Sequence, residues 1–162
     1  MTATYATSFE SPVGIVHLVG RDGALVGLYL DESRHPGPVE PDEGRLDDAR
    51  AQVEQYFAGE RTTFDLDLAP TGTPFQLAVW EALRGVGYGE TASYVDIARA
   101  IGRPTASRAV GAANGRNPIS LIVPCHRVIG ASGKLVGYGW GVERKRWLLD
   151  HEVRVLTAAA SS

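Results

Sequence analysis

Ile122-Val123-Pro124-Cys125-His126-Arg127-Val128-Ile129 holds the only cysteine of a 162-residue chain and sets it between apolar flanks. The preceding run, Ser120-Leu121-Ile122-Val123, reads as a buried strand or core segment, and Pro124, which has no N–H to give, ends regular hydrogen bonding there. Cys125 is therefore expected to leave the core at a forced bend, beside an imidazole and a guanidinium. Positive charge and partial solvent access bring a cysteine pKa from about 8.5 towards roughly 4 to 7, the range of a nucleophilic thiolate. The competing reading is structural, because free cysteine is among the most buried residue types and packs as a small hydrophobe. The Pro-Cys-His-Arg surroundings favour chemistry.

Outward from that stretch, composition bounds the rest. A chain of this length with 44% hydrophobic residues fits one domain or two small ones around a real core. No basic region followed by an apolar stretch opens the sequence, and no run approaches the roughly 18 apolar residues of a membrane span. A cytoplasmic protein with no membrane partner is expected. One cysteine excludes an internal disulfide and argues against a cysteine-based zinc site, so neither metal nor cofactor is expected.

Charge is unevenly divided. Residues 1–72 hold 5 Arg+Lys against 13 Asp+Glu, a net of −8, and residues 73–162 hold 11 against 6, a net of +5. Between 97 and 127 the charged residues are Arg99, Arg103, Arg108, Arg116 and Arg127, with no carboxylate. A polyanion can approach such a surface without local repulsion, though a plain solvated face has the same composition.

In the first half, Tyr5 to Glu10, Val13 to Val19 and Ala24 to Leu30 are β-rich runs separated by turn residues and read as an antiparallel meander, with His17 packing or hydrogen-bonding in its second strand. Asp31 to Gly44, rich in proline, reads as an exposed connection. Leu46 to Ala58 has helical spacing with Gly59 as its stop, and Thr62 to Leu68 alternates as a further strand of the same sheet. Nothing in this half gathers chemical groups, and it reads as a scaffold ending near Ala69-Pro70-Thr71-Gly72.

The second half opens on Thr73-Pro74, a cap followed by proline at the first helical position, and its apolar residues predict a helix buried over much of its circumference. Ser93 to Ile101 and Thr105 to about Asn114 predict two more helices around Gly102-Arg103-Pro104, the spacing of a helix-turn-helix. The later helix is built of small residues, with Arg108 its only long side chain. That suits a helix entering a groove, and equally suits close helix packing. Asn117 is placed to brace the turn before the cysteine segment. Val136-Gly137-Tyr138-Gly139-Trp140-Gly141 offers flat apolar surfaces in a flexible loop, and a last helix runs from Val142 to about Glu152 before a frayed tail from Thr157.

These motifs together resemble the O6-alkylguanine-DNA alkyltransferase family. Pro-Cys-His-Arg-Val at 124–128 follows an Asn-Pro turn at 117–118. Ser93-Tyr94, Arg108-Ala109-Val110-Gly111, Gly137-Tyr138 and Trp147-Leu148-Leu149 to Glu152 stand in the family order. The resemblance covers most of residues 73–152, and the first half is similar in layout only.

The resemblance implies an α+β chain: a small ribonuclease-H-like α/β domain at 1–72, then a mostly helical domain with a helix-turn-helix at 73–162. It implies direct, irreversible transfer of the alkyl group of O6-alkylguanine in DNA to Cys125, one turnover per molecule, with O4-alkylthymine a second candidate lesion. His126 would activate the thiol through a water, Glu152 would orient His126, Tyr94 would contact guanine ring nitrogen 3, and Asn117 would brace the turn. Thr105, Ala106, Ser107, Arg108 and Arg127 would contact DNA, Arg108 filling the place of the flipped base. Val128, Tyr138, Gly139 and Trp140 would form the base pocket, where Trp140 is larger than the small residue of many relatives and predicts poor acceptance of bulky adducts. The partner would be double-stranded DNA entered through the minor groove by a monomer, with cooperative binding left open. The alternatives are a damage sensor or helix-turn-helix regulator, which needs no cysteine at 125, and a cysteine hydrolase, which needs an oxyanion loop.

Overall fold

The computed structural model describes residues 3–30, 39–130, 132–133, 135 and 138–161. The chain forms two compact units, residues 1–71 and 72–162. The first is a four-stranded sheet of order β3-β2-β1-β4, made of β1 (Tyr5–Ser11), β2 (Gly14–Arg21), β3 (Ala24–Tyr29) and β4 (Glu40–Pro41). The expected meander is present, with β2 antiparallel to both neighbours. His17 faces Ser8 across the β1–β2 pair and its Nδ1 lies 2.8 Å from the serine Oγ, so the imidazole is satisfied inside the sheet.

Two parts of this unit depart from expectation. The proline-rich connection is not wholly outside the sheet, because Glu40–Pro41 pair in parallel with Tyr5 and Ala6; residues 31–38 of it lie outside the described residues. Thr62 to Leu68 does not become a strand. It meets β3 through a single bridge, Leu25 to Leu68, and Gln52 takes up its backbone instead, donating to Asp65 O at 3.0 Å and accepting from Asp65 N at 2.8 Å. Gln52 stands on α1 (Asp47–Phe57), whose buried face is Ala49, Gln52, Val53 and Tyr56.

The second unit is helical. In α2 (Pro74–Leu83) Thr73 and Gln76 form a reciprocal capping box, with proline at the first position. Only Val79, Trp80 and Leu83 are buried, however, and Leu77 is 39% exposed. The expectation of burial around most of the helix fails because the elements packed on it in this unit, α3 (Tyr94–Ala100), α4 (Ser107–Gly115) and the cysteine turn, cover one side. Trp80 Nε1 donates to Ala113 O at 2.8 Å and pins α2 to α4.

α3 begins with a Ser93–Asp96 capping box and ends at Gly102, whose φ of 74° lets Gly102 N and Arg103 N close on Arg99 O and Ala98 O. The link to α4 is longer than the expected three residues, running from 101 to 106, since Pro104 donates nothing and the chain makes a further turn, Ala106 N to Arg103 O. Two-residue strands β5 (Ala92–Ser93) and β6 (Val128–Ile129) pair in parallel and seat the start of α3 beside the end of the cysteine turn. α5 spans Val142–Ala160, so the expected frayed tail is helical through Ala160. Three consecutive alanines, the best helix formers, sustain it there.

Candidate active site

The cysteine segment is not a strand. Ser120 to Val123 is a tight buried turn closed by Ile122 N to Ser120 O at 2.9 Å and Val123 N to Ile119 O at 3.0 Å, with Leu121 at a φ of 73°. That left-handed conformation is rare for a leucine and needs the surroundings to impose it. Asn117 does so, as expected of it: Nδ2 donates to Val123 O at 2.8 Å and Oδ1 accepts from Ile119 N at 3.0 Å, all buried. Pro124 then leads into one turn of 3-10 helix, Cys125–Arg127.

Because the chain curls there rather than emerging, Cys125 is 3% exposed. This corrects the expectation of a half-exposed, low-pKa thiol. Burial pushes the thiol up, and the amide of Asn117, the hydroxyl of Ser120 (3.6 Å from Sγ) and the charge of Lys145 pull only partly against it. At rest the sulfur keeps its proton. Asn114 of α4 reaches the same peptide, Nδ2 donating to Cys125 O at 3.4 Å.

His126 and Glu152 are both wholly buried, with Nε2 2.7 Å from Oε2. A buried carboxylate is costly unless donors surround it. Arg127 Nε donates to Oε1 at 2.9 Å, Arg127 Nη2 to Oε2 at 3.0 Å, and Gly89 N to Oε1 at 3.0 Å. Gly89 sits at a φ of 75°, and a Cβ there would strike Leu156 of α5 at 2.2 Å, so glycine is what lets this N–H reach the carboxylate. Against the pull of burial, His126 and Arg127 hold the Glu152 carboxyl well below its usual range. Burial in turn lowers the proton affinity of His126, opposed by Glu152 and assisted by Arg127 and Lys145. A neutral imidazole beside an ionised carboxylate places its N–H on Nε2. Nδ1, which is buried and has no hydrogen-bond partner among the described residues, is then a bare lone pair.

Arg127 is therefore not a DNA-contacting residue of the kind expected. Its guanidinium is spent on Glu152 and on Val86 O, at 2.8 Å, and the residue is 6% exposed. The other four arginines of the carboxylate-free stretch, Arg99, Arg103, Arg108 and Arg116, are exposed. On α4 the outward positions are Arg108, Ala109 and Ala112, and Thr105 is exposed just before it; Ala106 and Ser107 are half-buried. Tyr94, half-buried, lies with its ring against α4 at Gly111. Burial first, then the charge of Cys125, raise its hydroxyl, which remains a donor.

Tyr138 and Trp140 are buried and meet edge to face, centroids 5.7 Å apart, and Gly139 between them is exposed. The Tyr138 hydroxyl has no partner among the described residues, and burial, with the Cys125 charge, raises its pKa well above the ordinary value. Val136 and Gly137 of the expected loop lie outside the described residues. Sequence reasoning missed Lys145. It is wholly buried, Nζ donates to Val128 O, and burial lowers its pKa while the charge of Cys125 opposes that. The available signal was spacing, since Lys145, Leu148 and Glu152 stand at i, i+3 and i+7 on one stripe of α5. Among the described residues no group of His, Cys, Asp and Glu is arranged to hold a metal, and no helix is long and apolar enough to cross a membrane.

Known proteins resemble this chain in sequence and in fold. A family model described as 6-O-methylguanine DNA methyltransferase, DNA binding domain, covers residues 74–154, and another, of the ribonuclease-like domain of the same proteins, covers residues 4–70. The methylated-DNA–protein-cysteine methyltransferase of Mycobacterium bovis is 52% identical over 148 residues, 90% of each chain. That of Methanosarcina acetivorans is 50% identical over 154 residues, 91% of this chain and 97% of the other. The crystal structure of Mycobacterium tuberculosis OGT in complex with DNA superposes with a TM-score of 0.89 at 50% identity, covering 93% of this chain and 94% of that one. With both halves matched by its models and relatives at half identity along nearly the whole length, the chain belongs to the 6-O-methylguanine DNA methyltransferase family.

Proposed function

We propose that Cys125 is the alkyl acceptor and that His126, held by Glu152, is the base that frees its sulfur. The activity is that of the family: DNA repair by transfer of the alkyl group of O6-alkylguanine in DNA to a protein cysteine, once per molecule. The observation that carries the assignment is a buried thiol followed directly in the chain by an imidazole whose Nε2 is locked on Glu152 and whose Nδ1 has no hydrogen-bond partner among the described residues.

The thiol proton passes to Nδ1 through an intervening water, and the imidazolium formed is stabilised by Glu152. The sulfur then attacks the alkyl carbon: the S–C bond forms, the C–O bond breaks, and its electron pair moves into the guanine. Tyr94 donates its phenolic proton toward ring nitrogen 3 and quenches that charge. Lys145 supplies a fixed positive charge beside the sulfur, where low dielectric strengthens it. Backbone groups of Cys125, Val128 and Gly139 read the base edge, and Tyr138 and Trp140 wall the pocket; the Tyr138 hydroxyl is available to a bound base. The thioether product has no easy route back.

DNA binds as a double strand through α3 and α4. The small outward residues of α4 fit the minor groove, Arg108 fills the gap left by the flipped base, and Thr105, Ala106 and Ser107 line the approach. The protein acts as a monomer in the cytoplasm, where a free thiol stays reduced. Incubation with duplex DNA radiolabelled in the methyl of O6-methylguanine tests the reading: label is expected on the protein, up to one per chain, with none on Cys125→Ser. Continuous turnover, or label on the serine variant, refutes it.

A further inference from the structure

We infer that Arg127 is a positioning residue for the transfer: by sharing the Glu152 carboxylate it keeps His126 neutral at rest, with its proton on Nε2 and Nδ1 left unprotonated to receive the thiol's proton. The inference rests on the repair reading above and assigns to Arg127 a part in the proton path rather than a contact with DNA.

The geometry is a fork on a fork. Nε and Nη2 of Arg127 address separate oxygens of Glu152 at 2.9 and 3.0 Å, while Nη1 is tied to Val86 O at 2.8 Å. A guanidinium so held cannot swing to solvent, and its charge cannot be removed by deprotonation. The carboxylate consequently has a permanent counter-charge that does not depend on His126. Were Arg127 absent, the imidazole 2.7 Å from Oε2 would be left to balance the carboxylate, and it would take up a proton to do so. It would take it on Nδ1, the atom the reaction needs bare.

The groups facing this imidazole oppose one another, and the balance keeps it neutral. Glu152 from α5 favours its protonation, Arg127 on the same turn and Lys145 from α5 oppose it, and burial opposes it further. Tyr88 faces the carboxylate, with the Arg127 guanidinium 5.5 Å from its ring centroid, and its hydroxyl, pushed up to about 12, stays neutral. Cys125, kept protonated by burial, adds no charge until the reaction begins. The resting cluster thus pairs Glu152 with Arg127, and the proton that reaches Nδ1 during transfer is the thiol's own.

The test is nitrogen NMR of the full chain labelled at histidine, with the His126 signals assigned by their loss in His126→Gln. The wild type is expected to show, at neutral pH, a neutral ring protonated on Nε2. In Arg127→Gln, which keeps a donor for Val86 O, the titration is expected to move upward, and the pH–rate profile of methyl transfer to move upward with it. In Arg127→Lys, which retains the charge, both are expected to stay near the wild type. A wild-type ring that is doubly protonated or protonated on Nδ1 overturns the inference without need of any variant. So does Arg127→Gln with unmoved titration, or with a rate lowered equally at every pH, as loss of structure alone would give. Methyl uptake by the same wild-type sample keeps the two ideas apart: no uptake defeats the repair reading and leaves the tautomer result standing.

Discussion

Replacing Asn117 by alanine removes two buried hydrogen bonds at once. Val123 O loses its donor at 2.8 Å and Ile119 N its acceptor at 3.0 Å, and both are enclosed where water does not reach them. A buried backbone group left unsatisfied costs about 1–3 kcal/mol, so the pair costs about 2–6 kcal/mol. The turn also loses the clamp that holds Leu121 at its φ of 73°, and relaxation there recovers part of the cost while moving Cys125. At a urea dependence of roughly 2 kcal/mol per M, the unfolding midpoint falls by about 1–3 M. Gln52→Ala is the control, because Gln52 makes the same two-way contact with a backbone segment, at Asp65 in the first unit. Urea unfolding followed by tryptophan fluorescence, with methyl transfer measured well below the midpoint, separates the two. Asn117→Ala is expected to lose stability and rate together, and Gln52→Ala to lose stability alone. An Asn117→Ala protein that transfers methyl at the wild-type rate, or loses less than about 1 kcal/mol, refutes the bracing role.

Trp140→Ala opens the pocket wall, and transfer of benzyl relative to methyl is expected to rise by about 10- to 100-fold, the worth of about one methylene of fit; competing substrates in one tube read this, and an unchanged ratio counts against it. Arg108→Ala is expected to slow transfer from duplex DNA by about 10-fold or more, the worth of a stacked side chain, with less loss on the free base; equal losses on both remove the role. Lys145→Met takes a positive charge from beside the sulfur, so the pH at which iodoacetamide half-maximally alkylates Cys125 is expected to rise, and an unmoved midpoint contradicts the electrostatic role. Stability should fall in acid. His126 in the folded chain takes up protons less readily than its ordinary 6.5, and Glu152 less readily than its ordinary 4.5, so below each of those values the unfolded chain binds the more protons and gains. Urea midpoints measured from pH 7 downward are expected to drop first through the histidine window and then below 4.5, and Glu152→Gln to lose the lower part.

Local signals made most of the scaffold legible. The Thr73-Pro74 start, the glycine stops at Gly59 and Gly102 and the turn residues that divide the first three β-rich runs are rules of nearest neighbours, and the chain obeys them. What the sequence concealed was decided by distant partners. Thr62 to Leu68 has the alternation of a strand, yet its backbone is claimed by Gln52, and no reading of the segment itself reveals that. Arg127 lies among four exposed arginines and is alike in type, but Glu152, twenty-five residues on, turns it inward. Cys125 was legible as the candidate nucleophile, whereas its burial and protonation were not, since these depend on the turn that Asn117 braces. Lys145 escaped notice because a lysine on a helix is ordinarily solvated, and only its register with Leu148 and Glu152 marks it as buried.

The central claim is that the sulfur of Cys125, unmasked by His126, receives the alkyl carbon. Peptide mass spectrometry after incubation with duplex DNA containing O6-methylguanine addresses it directly. One added methylene on the Cys125 peptide, with fragment ions placing it on that residue and none appearing in Cys125→Ser, is the predicted result. An unmodified Cys125 peptide beside DNA that has lost its methyl group, or a methylene on any other residue, would contradict it.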